Sequence, residues 1–263
     1  MADFLDILVR NARKTINSGY YKIEGLRNLR KRASLKTSIN KCKHAPIIAE
    51  IKPSSPSQGS LRKINNLKDI VNAIERGGAV GISVLTEPKY FGGSLKFLLE
   101  TSRLTSLPVL MKDIIIDPIQ VEAAFKAGAD AILLIYSIFK RSTFDIGISI
   151  EEMISLAHSM GLEVLLETHT KKEFLSALET DADIIGINNR NLETLKVDLK
   201  VTKKILIGVR HYNKKIIVSE SGIRKPEDIR VLRDWGAKAF LVGSAIMTAE
   251  NLEEKVRELV LAL

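Results

Sequence analysis

From Pro46 onward one pattern recurs along the chain: a short apolar run rich in β-branched residues, a polar loop, and a stretch with helical spacing that often closes on glycine. Strands that are apolar on both faces and separated by helices form parallel sheets through right-handed βαβ crossovers. Eight such units predict a closed (β/α)8 TIM barrel. A doubly wound open sheet usually has fewer repeats in this length, and no G-x-G-x-x-G follows any run. The eight runs are residues 46–52, 80–87, 108–113, 131–137, 163–169, 184–190, 215–222 and 239–247.

Helical spacing of apolar residues predicts helices between these runs, at residues 67–76, 118–127, 150–160, 171–178, 199–207 and 226–235. Two of them begin at a proline, Pro118 and Pro226, which suits a first helical turn because the missing N–H needs no partner there. Several predicted helices end at a glycine in the position of a C-cap, namely Gly77, Gly128, Gly161 and Gly236.

The first 45 residues lie outside this repeat. Apolar residues at helical spacing predict a helix over residues 2–16, and a second short helix is predicted over residues 23–29. Residues 27–43 are basic and interrupted by Ser, Thr and Asn, which is typical of an exposed linker. We therefore divide the chain into an N-terminal helical extension with a basic linker, residues 1–45, and a barrel domain, residues 46–263.

The positive charge of the chain is concentrated in this N-terminal extension. The formal net charge is +9, and residues 1–45 carry eleven Lys or Arg against Asp3, Asp6 and Glu24. The rest of the chain has 29 basic and 28 acidic residues and is nearly neutral. A basic extension makes a nucleic-acid-binding protein one alternative, but the polar residues at the strand ends would then have no explanation.

Several other classes of protein are disfavoured by the composition. Cys42 is the only cysteine, so neither an intrachain disulfide nor a thiolate zinc cluster is available, and the four histidines lack a paired ligand spacing for a metal. The longest apolar run, residues 131–139, is too short to cross a bilayer. Asp3 and Asp6 stand where a signal peptide would be basic or apolar. We expect a cytoplasmic protein with no membrane partner and no metal.

Polar residues gather where the predicted strands end. In a barrel of this kind the site is built from the C-terminal ends of the strands, and alternate residues of each strand point inward. A single charged residue at a strand end is usually solvated. Charged side chains of both signs that converge on one mouth instead indicate paired groups suited to acid–base chemistry. These residues are Glu50 and Lys52, Lys112, Glu167 and His169, Asn188 and Arg190, and Glu220 and Ser221.

Small residues close the seventh and eighth runs. Ser221-Gly222 and Gly243-Ser244 each lead toward a helix, and loops after these two strands of a barrel commonly bind phosphate through backbone N–H groups. Tight turns alone would also explain the two glycines. The occurrence of both pairs at these two positions favours a phosphate site.

With these residues in place, the chain resembles the indole-3-glycerol-phosphate synthase family. The matching segments extend over nearly all of residues 47–247: IIAEIKPSSPSQG, SVLTEPKYFGGS, PVLMKDIIID, GADAILLI, VLLETH, IIGINNRNLETLKVD, VSESGI and FLVGSAIM. Related phosphate-binding barrels share the last two motifs but not the whole set. The resemblance implies ring closure of 1-(2-carboxyphenylamino)-1-deoxyribulose 5-phosphate with loss of carbon dioxide and water. This is a carboxy-lyase reaction of tryptophan biosynthesis for which no cofactor is expected.

The resemblance also implies roles for individual residues. Lys112 of the MKD motif would be the general acid that protonates the substrate ketone, and Glu50 would hold Lys112 by an ion pair. Lys52 would meet the substrate carboxylate or share the acid role, and Glu167 would take the proton whose loss restores aromaticity. A lysine among other cations loses its proton more readily, so we expect a pKa of Lys112 below the ordinary lysine value.

Further residues would bind and orient the substrate. Asn188 and Arg190 would position its anthranilate end and its hydroxyls, and Asn188 and Ser221 also count as candidate catalytic residues. The predicted substrate-binding residues are Arg190, Glu220, Ser55 and Phe91, and the predicted phosphate-binding residues are Lys52, Ser221, Gly222, Gly243 and Ser244.

Two positions depart from the family pattern. Pro53 stands where a basic residue commonly follows the first lysine, and Ile114 stands where Phe commonly follows M-K-D. Proline stiffens the loop and removes a backbone donor, and isoleucine removes an aromatic wall beside the substrate ring. We expect these changes to affect loop closure or affinity and to leave the reaction unchanged.

Two other functions remain as alternatives. One is a Schiff-base aldolase acting on a phosphosugar, because buried lysines on barrel strands also do that chemistry. The other is nucleic-acid binding through the basic N-terminus. The expected partner is a small anionic phosphosugar–anthranilate substrate, with no nucleic acid, and both a monomer and a dimer are compatible with this fold.

Overall fold

The computed structural model of the protein describes residues 3–23, 31–209 and 215–263, and within them eight parallel strands close into a barrel. Each strand pairs with its neighbours along the chain, and the first pairs with the eighth, with Ile47 opposite Phe240 and Ala49 opposite Val242. The predicted (β/α)8 TIM barrel is confirmed. From first to eighth, the barrel strands are Ile47–Ile51, Gly81–Leu85, Val109–Lys112, Ala131–Ile135, Glu163–Thr168, Ile184–Asn188, Ile216–Glu220 and Ala239–Val242.

Alternation along the strands divides the apolar residues into two cores. Ile47 and Ile51 of the first strand pack between the barrel and the surrounding helices, whereas Ile48 packs in the barrel interior with residues such as Leu133. Both faces of the strands are buried, which explains why they read as continuous apolar runs. Because the strand period is two, Glu50 shares the inner face with Ile48. The carboxylate of Glu50 therefore lies above an apolar interior.

Helices cover the outside of the barrel. Every helix predicted between the runs is present, with ends that differ by at most one residue. No helix in the described ranges is long and apolar enough to cross a membrane. The α-helices are Phe4–Asn17, Leu35–Lys41, Leu67–Arg76, Leu95–Leu104, Pro118–Lys126, Tyr136–Lys140, Ile150–Ser159, Lys171–Leu178, Lys200–Leu206, Pro226–Asp234, Ser244–Met247 and Leu252–Val260, and Ser142–Phe144 is a 3-10 turn.

Local capping explains where the helices begin and end. The N–H of Ile119 donates to Asp117 Oδ1 at 2.9 Å, so Asp117 caps the helix that starts at the predicted Pro118. The predicted C-cap at Gly77 is confirmed. The other three predicted glycines each lie one residue past the C-cap in the left-handed conformation that ends the helix, namely Gly128, Gly161 and Gly236.

The N-terminal segment differs in part from the prediction. The helix Phe4–Asn17 confirms the first predicted helix, while residues 24–30, which hold most of the second, lie outside the described residues. The linker prediction is wrong for its second half, where the helix Leu35–Lys41 forms. Leu35 and Ile39 lie one turn apart and are both buried, with Leu35 against Gly81 at the start of the second strand. The free energy gained by burying this apolar pair at the N-terminal end of the barrel outweighs the preference of the surrounding basic residues for an exposed segment.

The eighth apolar run changes from strand to helix at Gly243. Its strand ends at Val242 and the short helix Ser244–Met247 follows, so the strand occupies only the first part of the run 239–247, and Gly243-Ser244 closes it and leads to a helix as predicted. The backbone of Gly243 passes so close to Glu50 that a Cβ atom there would lie 2.3 Å from Glu50 Oε1. Only glycine permits this approach between the end of the eighth strand and the first strand.

Candidate active site

A cavity of about 560 Å³ opens at the C-terminal ends of the barrel strands. This is the end where the functional site of such a barrel is expected. All the residues predicted from the sequence to act on, bind or orient the substrate line this one cavity: Glu50, Lys52, Ser55, Phe91, Lys112, Glu167, Asn188, Arg190, Glu220, Ser221, Gly222, Gly243 and Ser244. Their convergence follows from their shared position at strand ends.

Lys112 lies between two carboxylates near the floor of the cavity. Its Nζ is 3.0 Å from Glu167 Oε2 and 3.0 Å from Glu220 Oε2, so the third strand is joined to the fifth and the seventh across the barrel. The predicted ion pair between Glu50 and Lys112 is wrong. Glu50 Oε1 instead lies 2.8 Å from Lys52 Nζ, because these two residues are neighbours on the same face of one strand.

The expected lowering of the pKa of Lys112 is wrong. Burial alone would lower the pKa of Lys112, but the carboxylates of Glu167 and Glu220 outweigh burial and raise the pKa of Lys112 above the ordinary lysine value. Burial would raise the pKa of Glu167, yet the Lys112 ammonium holds it well below its usual range. Burial, reinforced by the Glu167 carboxylate, raises the pKa of Glu220 to about 8. Near neutral pH the cluster therefore holds Lys112 charged, Glu167 ionised and Glu220 protonated.

The loop after the first strand covers one side of the cavity. Ser54–Ser55 and Gly59–Ser60 pair as a small antiparallel hairpin. Pro53 begins this loop, and its carbonyl oxygen accepts from the N–H of Leu61 at 2.8 Å, so the missing proline donor leaves the closure of the hairpin intact. Arg190 Nη1 donates to Ser57 Oγ at 2.9 Å. This bond connects the hairpin to the loop after the sixth strand across the cavity mouth.

The predicted phosphate-binding pairs follow the seventh and eighth strands, and the eighth strand lies next to the first in the barrel. Ser221 and Gly222 both have left-handed backbone conformations, with φ of +67° and +88°. Gly243 follows the neighbouring eighth strand, and a Cβ atom there would lie 3.1 Å from Lys52 Nζ. The two loops and the Lys52 ammonium thus border the same part of the cavity.

The sixth strand supports the carboxylate of Glu220. Gly186 faces the barrel interior under Glu220, where a Cβ atom would come within 2.1 Å of Glu220 Oε1. Two residues further along the same face, Asn188 Oδ1 accepts from the backbone N–H of Arg190 at 3.0 Å. This bond turns the chain so that Arg190 reaches the mouth.

The chain is similar over most of its length to proteins of one known family. A family model described as indole-3-glycerol phosphate synthase matches residues 7–259. The indole-3-glycerol phosphate synthase of Methanocaldococcus jannaschii is 45% identical over 258 residues, which cover 97% of this chain and 91% of that protein. The protein of the same name from Caldanaerobacter subterraneus is 40% identical over 229 residues, which cover 87% and 85%.

The chain belongs to the indole-3-glycerol phosphate synthase family. Solved structures with lower identity share its fold. A thiamine phosphate pyrophosphorylase from Pyrococcus furiosus superposes with a TM-score of 0.60 at 19% identity, over 86% of this chain and 96% of that chain. An N-acetylmannosamine-6-phosphate 2-epimerase from Clostridium perfringens gives 0.61 at 16% identity, over 83% and 93%. At such identities the likeness concerns the barrel alone.

This indole-3-glycerol phosphate synthase family member also has cavity residues that the sequence analysis missed. Glu87 is buried after the second strand, and its carboxylate accepts from the backbone N–H groups of Lys89, Tyr90 and Phe91 at 2.7 to 3.0 Å. An acidic residue followed by a turn within four residues is the pattern that could have indicated this cap. Asn11 Nδ2 of the N-terminal helix donates to Glu87 Oε1 at 2.9 Å. The N-terminal helix is thereby fastened to the loop that carries Phe91.

The apolar wall of the cavity comes partly from that same helix. Phe4 and Leu8 line the cavity together with Phe91 and Ile114. The ring of Phe4 meets Tyr90 edge to face at 5.7 Å between centroids. Ile114, which departs from the family pattern, is thus one of several apolar residues in this wall. The helical stripe of the N-terminal segment indicated a buried face, but nothing in the stripe itself indicated what it would cover.

Proposed function

We propose that this protein is an indole-3-glycerol phosphate synthase, a carbon–carbon lyase that closes 1-(2-carboxyphenylamino)-1-deoxyribulose 5-phosphate to indole-3-glycerol phosphate. The observation that carries the proposal is Lys112 at 3.0 Å from both Glu167 and Glu220 in the cavity of a chain that belongs to this family. The cavity also combines an apolar wall with cationic and polar groups. Such a combination suits a substrate with an aromatic ring, a carboxylate, a ketone and a phosphate.

In this proposal Lys112 is the general acid. It enters the reaction protonated, as the raised pKa requires, and donates to the ketone oxygen while the aromatic carbon attacks the carbonyl. Charge that develops on this oxygen competes with the carboxylates for the ammonium group, which eases release of the proton. Carbon dioxide then leaves from the ring carbon that attacked the carbonyl.

Glu167 is the general base of the later dehydration. The lowered pKa of Glu167 keeps its carboxylate ionised in the resting site, ready to accept the ring proton in the dehydration. The hydroxyl leaves as water after it takes a proton from Lys52, or from Lys112 once solvent has protonated Lys112 again. The contact of Glu167 with Lys112 places base and acid within one hydrogen-bonded unit. Glu220 positions Lys112 from the other side.

Anion binding is assigned to the side of the cavity that carries Lys52. Its ammonium group lies beside the backbone of Gly243, which supports contact with an anionic group of the substrate, and a share in the acid role remains open. Glu50 holds Lys52 rather than Lys112. The phosphate is assigned to Ser221, Gly222, Gly243 and Ser244, and Asn188, Arg190, Ser55 and Phe91 are assigned to the remainder of the substrate.

Several broader features belong to the same proposal. The proposal includes the division into an N-terminal helical extension with a basic linker, residues 1–45, and a barrel domain, residues 46–263. It also includes action in the cytoplasm as a monomer or dimer with no nucleic-acid partner. The charged state of Lys112 disfavours the aldolase alternative, since attack on a carbonyl to form a Schiff base needs a neutral amine.

The test is an assay of the purified protein with the named substrate, followed by indole fluorescence. We expect turnover by the wild-type protein and a kcat lower by at least about 100-fold in Glu167→Gln, the usual size of a general-base contribution. The Gln variant keeps the shape of the side chain and loses only its basicity. Folded wild-type protein that forms no indole product would refute the function, and full turnover by Glu167→Gln would refute the role of Glu167.

A further inference from the structure

Arg62 follows the hairpin of residues 54–60, and its side chain reaches the segment after the eighth strand. Its Nε donates to the carbonyl oxygen of Met247 at 2.8 Å, and its Nη2 donates to the carbonyl oxygen of Ala249. Arg62 lines a surface groove beside this segment and is not among the residues that line the active-site cavity. Its guanidinium group therefore acts on the protein itself and does not touch the substrate.

The segment that Arg62 holds is the short helix Ser244–Met247, whose first residue is assigned to the substrate phosphate. The N–H of Thr248 donates to Ser244 O at 3.0 Å, but the carbonyl groups at the end of a helix have no partner within it. Arg62 supplies the donor for Met247 O. A helix of one turn has little stability of its own, so contacts of this kind fix where Ser244 lies.

The backbone of Arg62 is tied to the other side of the same part of the cavity. Its N–H donates to Pro53 O at 3.2 Å, where the hairpin closes. Pro53 follows Lys52, and a Cβ atom on Gly243 would lie 3.1 Å from Lys52 Nζ. Gly243 in turn leads into the helix Ser244–Met247. The contacts thus form a closed circuit beside the groups to which anion binding is assigned.

The hairpin in this circuit also contacts the cavity directly. Ser55 is buried and lines the cavity, and Ser57 Oγ accepts from Arg190 Nη1 at 2.9 Å. A shift of the hairpin therefore changes the mouth of the cavity. Through Arg62, the same shift changes the support of the helix after the eighth strand.

We propose that Arg62 is a positioning residue that couples the hairpin of residues 54–60 to phosphate binding at Gly243 and Ser244; this inference rests on the proposed function. The closed hairpin holds Arg62, and Arg62 holds the helix in the place where Ser244 meets the phosphate. Because coupling between two events is reciprocal, bound phosphate also favours the closed hairpin. Affinity for the phosphate group then depends on a residue that lies outside the cavity.

The experiment compares Arg62→Met with the wild-type protein. Methionine keeps the unbranched stem of the side chain and removes both hydrogen-bond donors. We expect the Kd of inorganic phosphate, measured by titration calorimetry, and the KM of the substrate each to rise about 10-fold, as the loss of two hydrogen bonds implies. The kcat should change by less than about 3-fold, because the Lys112 cluster is untouched. Arg62→Lys keeps the charge and one donor and should recover part of the phosphate affinity.

The matched control is Lys215→Met. The Nζ of Lys215 also donates to two backbone carbonyl groups of another segment, Thr180 O at 2.9 Å and Ala182 O at 2.7 Å, but it does so at the N-terminal end of the barrel. Its loss should lower the melting temperature and leave the Kd of inorganic phosphate and the KM unchanged. An equal rise of the phosphate Kd in both variants would assign the effect to general stability and contradict the proposal.

A third substitution tests the coupling itself. Ser57→Ala removes the bond between the hairpin and Arg190. In the wild-type background it should raise the Kd of inorganic phosphate by about 3-fold, and in the Arg62→Met background it should have no further effect, since the path to the helix is already broken. The same rise in both backgrounds would show that the hairpin acts on phosphate without Arg62.

Phosphate binding and turnover separate this inference from the function on which it rests. Wild-type protein that binds inorganic phosphate and forms no indole product refutes the proposed function. An active wild type with an unchanged phosphate Kd and KM in Arg62→Met refutes the coupling alone. Where Arg62→Met fails to fold, Arg62→Lys decides. A phosphate Kd above that of the wild type in the folded lysine variant supports the coupling, and wild-type values of both constants overturn it.

Discussion

Both ends of the barrel contain acidic residues, but the hydrogen bonding of the carboxylates differs between the two ends. At the N-terminal end, Asp130 accepts from the backbone N–H groups of Ala33 and Val109 at 2.8 and 2.9 Å. Asp183 there accepts from Val164 N at 3.0 Å and pairs with Lys36 and His158. These carboxylates have partners on several sides, so they contribute to the stability of the fold.

At the C-terminal end, acidic residues keep atoms without partners. Glu50 Oε2, Glu220 Oε1 and Ser55 Oγ are buried and have no hydrogen-bond partner among the described residues. Each such atom costs stability. Both carboxylate oxygens of Asp130 and of Asp183 have partners at the N-terminal end, whereas Glu50 and Glu220, which each keep one oxygen without a partner among the described residues, lie at the end with the candidate active site.

The largest expected effect is on kcat, and it compares substitution of a lysine at the C-terminal end with substitution of a lysine at the N-terminal end. Lys112→Met should lower kcat by at least about 100-fold, because it removes the proposed general acid while it keeps much of the side-chain volume. Lys36→Met removes a lysine that also pairs with a carboxylate, 3.0 Å away at Asp183, and should leave kcat unchanged. Both are measured by steady-state indole fluorescence. Equal losses of kcat in the two variants would contradict the functional difference between the two ends of the barrel.

A smaller effect should appear in stability at the N-terminal end. Burial would raise the pKa of Asp183, but hydrogen bonds from Val164 and His158 and the nearby Lys36 lower it, so the ionised form stabilises the fold. Asp183→Asn should decrease the free energy of unfolding by about 1–3 kcal/mol in urea denaturation, with kcat retained. A fall in kcat without a fall in stability would contradict this assignment.

The smallest effect concerns the pH dependence of stability. Burial raises the pKa of Glu220 to about 8 and that of Asp113 to about 6, so both acids bind protons more tightly in the folded state. Their stabilisation is complete below their ordinary values and is lost as pH rises through the folded values. Between pH 6 and pH 8 the loss comes from Glu220. The melting temperature of the wild type should fall by a few degrees over this interval.

Two variants isolate this effect. Glu220→Gln has no titrating group at this position and should flatten the melting temperature between pH 6 and pH 8. Asp113→Asn should leave the slope in that interval as it is in the wild type. A wild-type melting temperature that is constant over the interval would show that the mouth does not hold a protonated acid.

The barrel and the members of its site were predictable because both follow from strand periodicity. Glu50, Lys112 and Glu167 could be placed on the inner face and at the mouth from their positions in the runs. Their pairing could not be predicted, since it depends on strand tilt and side-chain reach across the barrel. Lys112 is adjacent in the sheet to neither the fifth nor the seventh strand, yet its ammonium meets carboxylates from both.

Elements without a repeat were the hardest to predict. The helix Leu35–Lys41 depends on two apolar residues, Leu35 and Ile39, inside a basic segment whose composition indicates a linker. The close approach of Glu50 to Gly243 is likewise a contact between distant parts of the chain. Neither the burial of Leu35 and Ile39 nor this contact can be predicted from the local sequence pattern.

The interior of the barrel is completed by residues that precede it. Leu8 of the N-terminal helix lies at the cavity, and Leu35 lies against the start of the second strand, while both belong to the same core as the inward-facing strand residues. An engineer who wishes to permute the termini of this protein, or to graft its barrel into another scaffold, must therefore carry these two preceding helices along. A barrel cut out at residue 46 would have its core open at both ends.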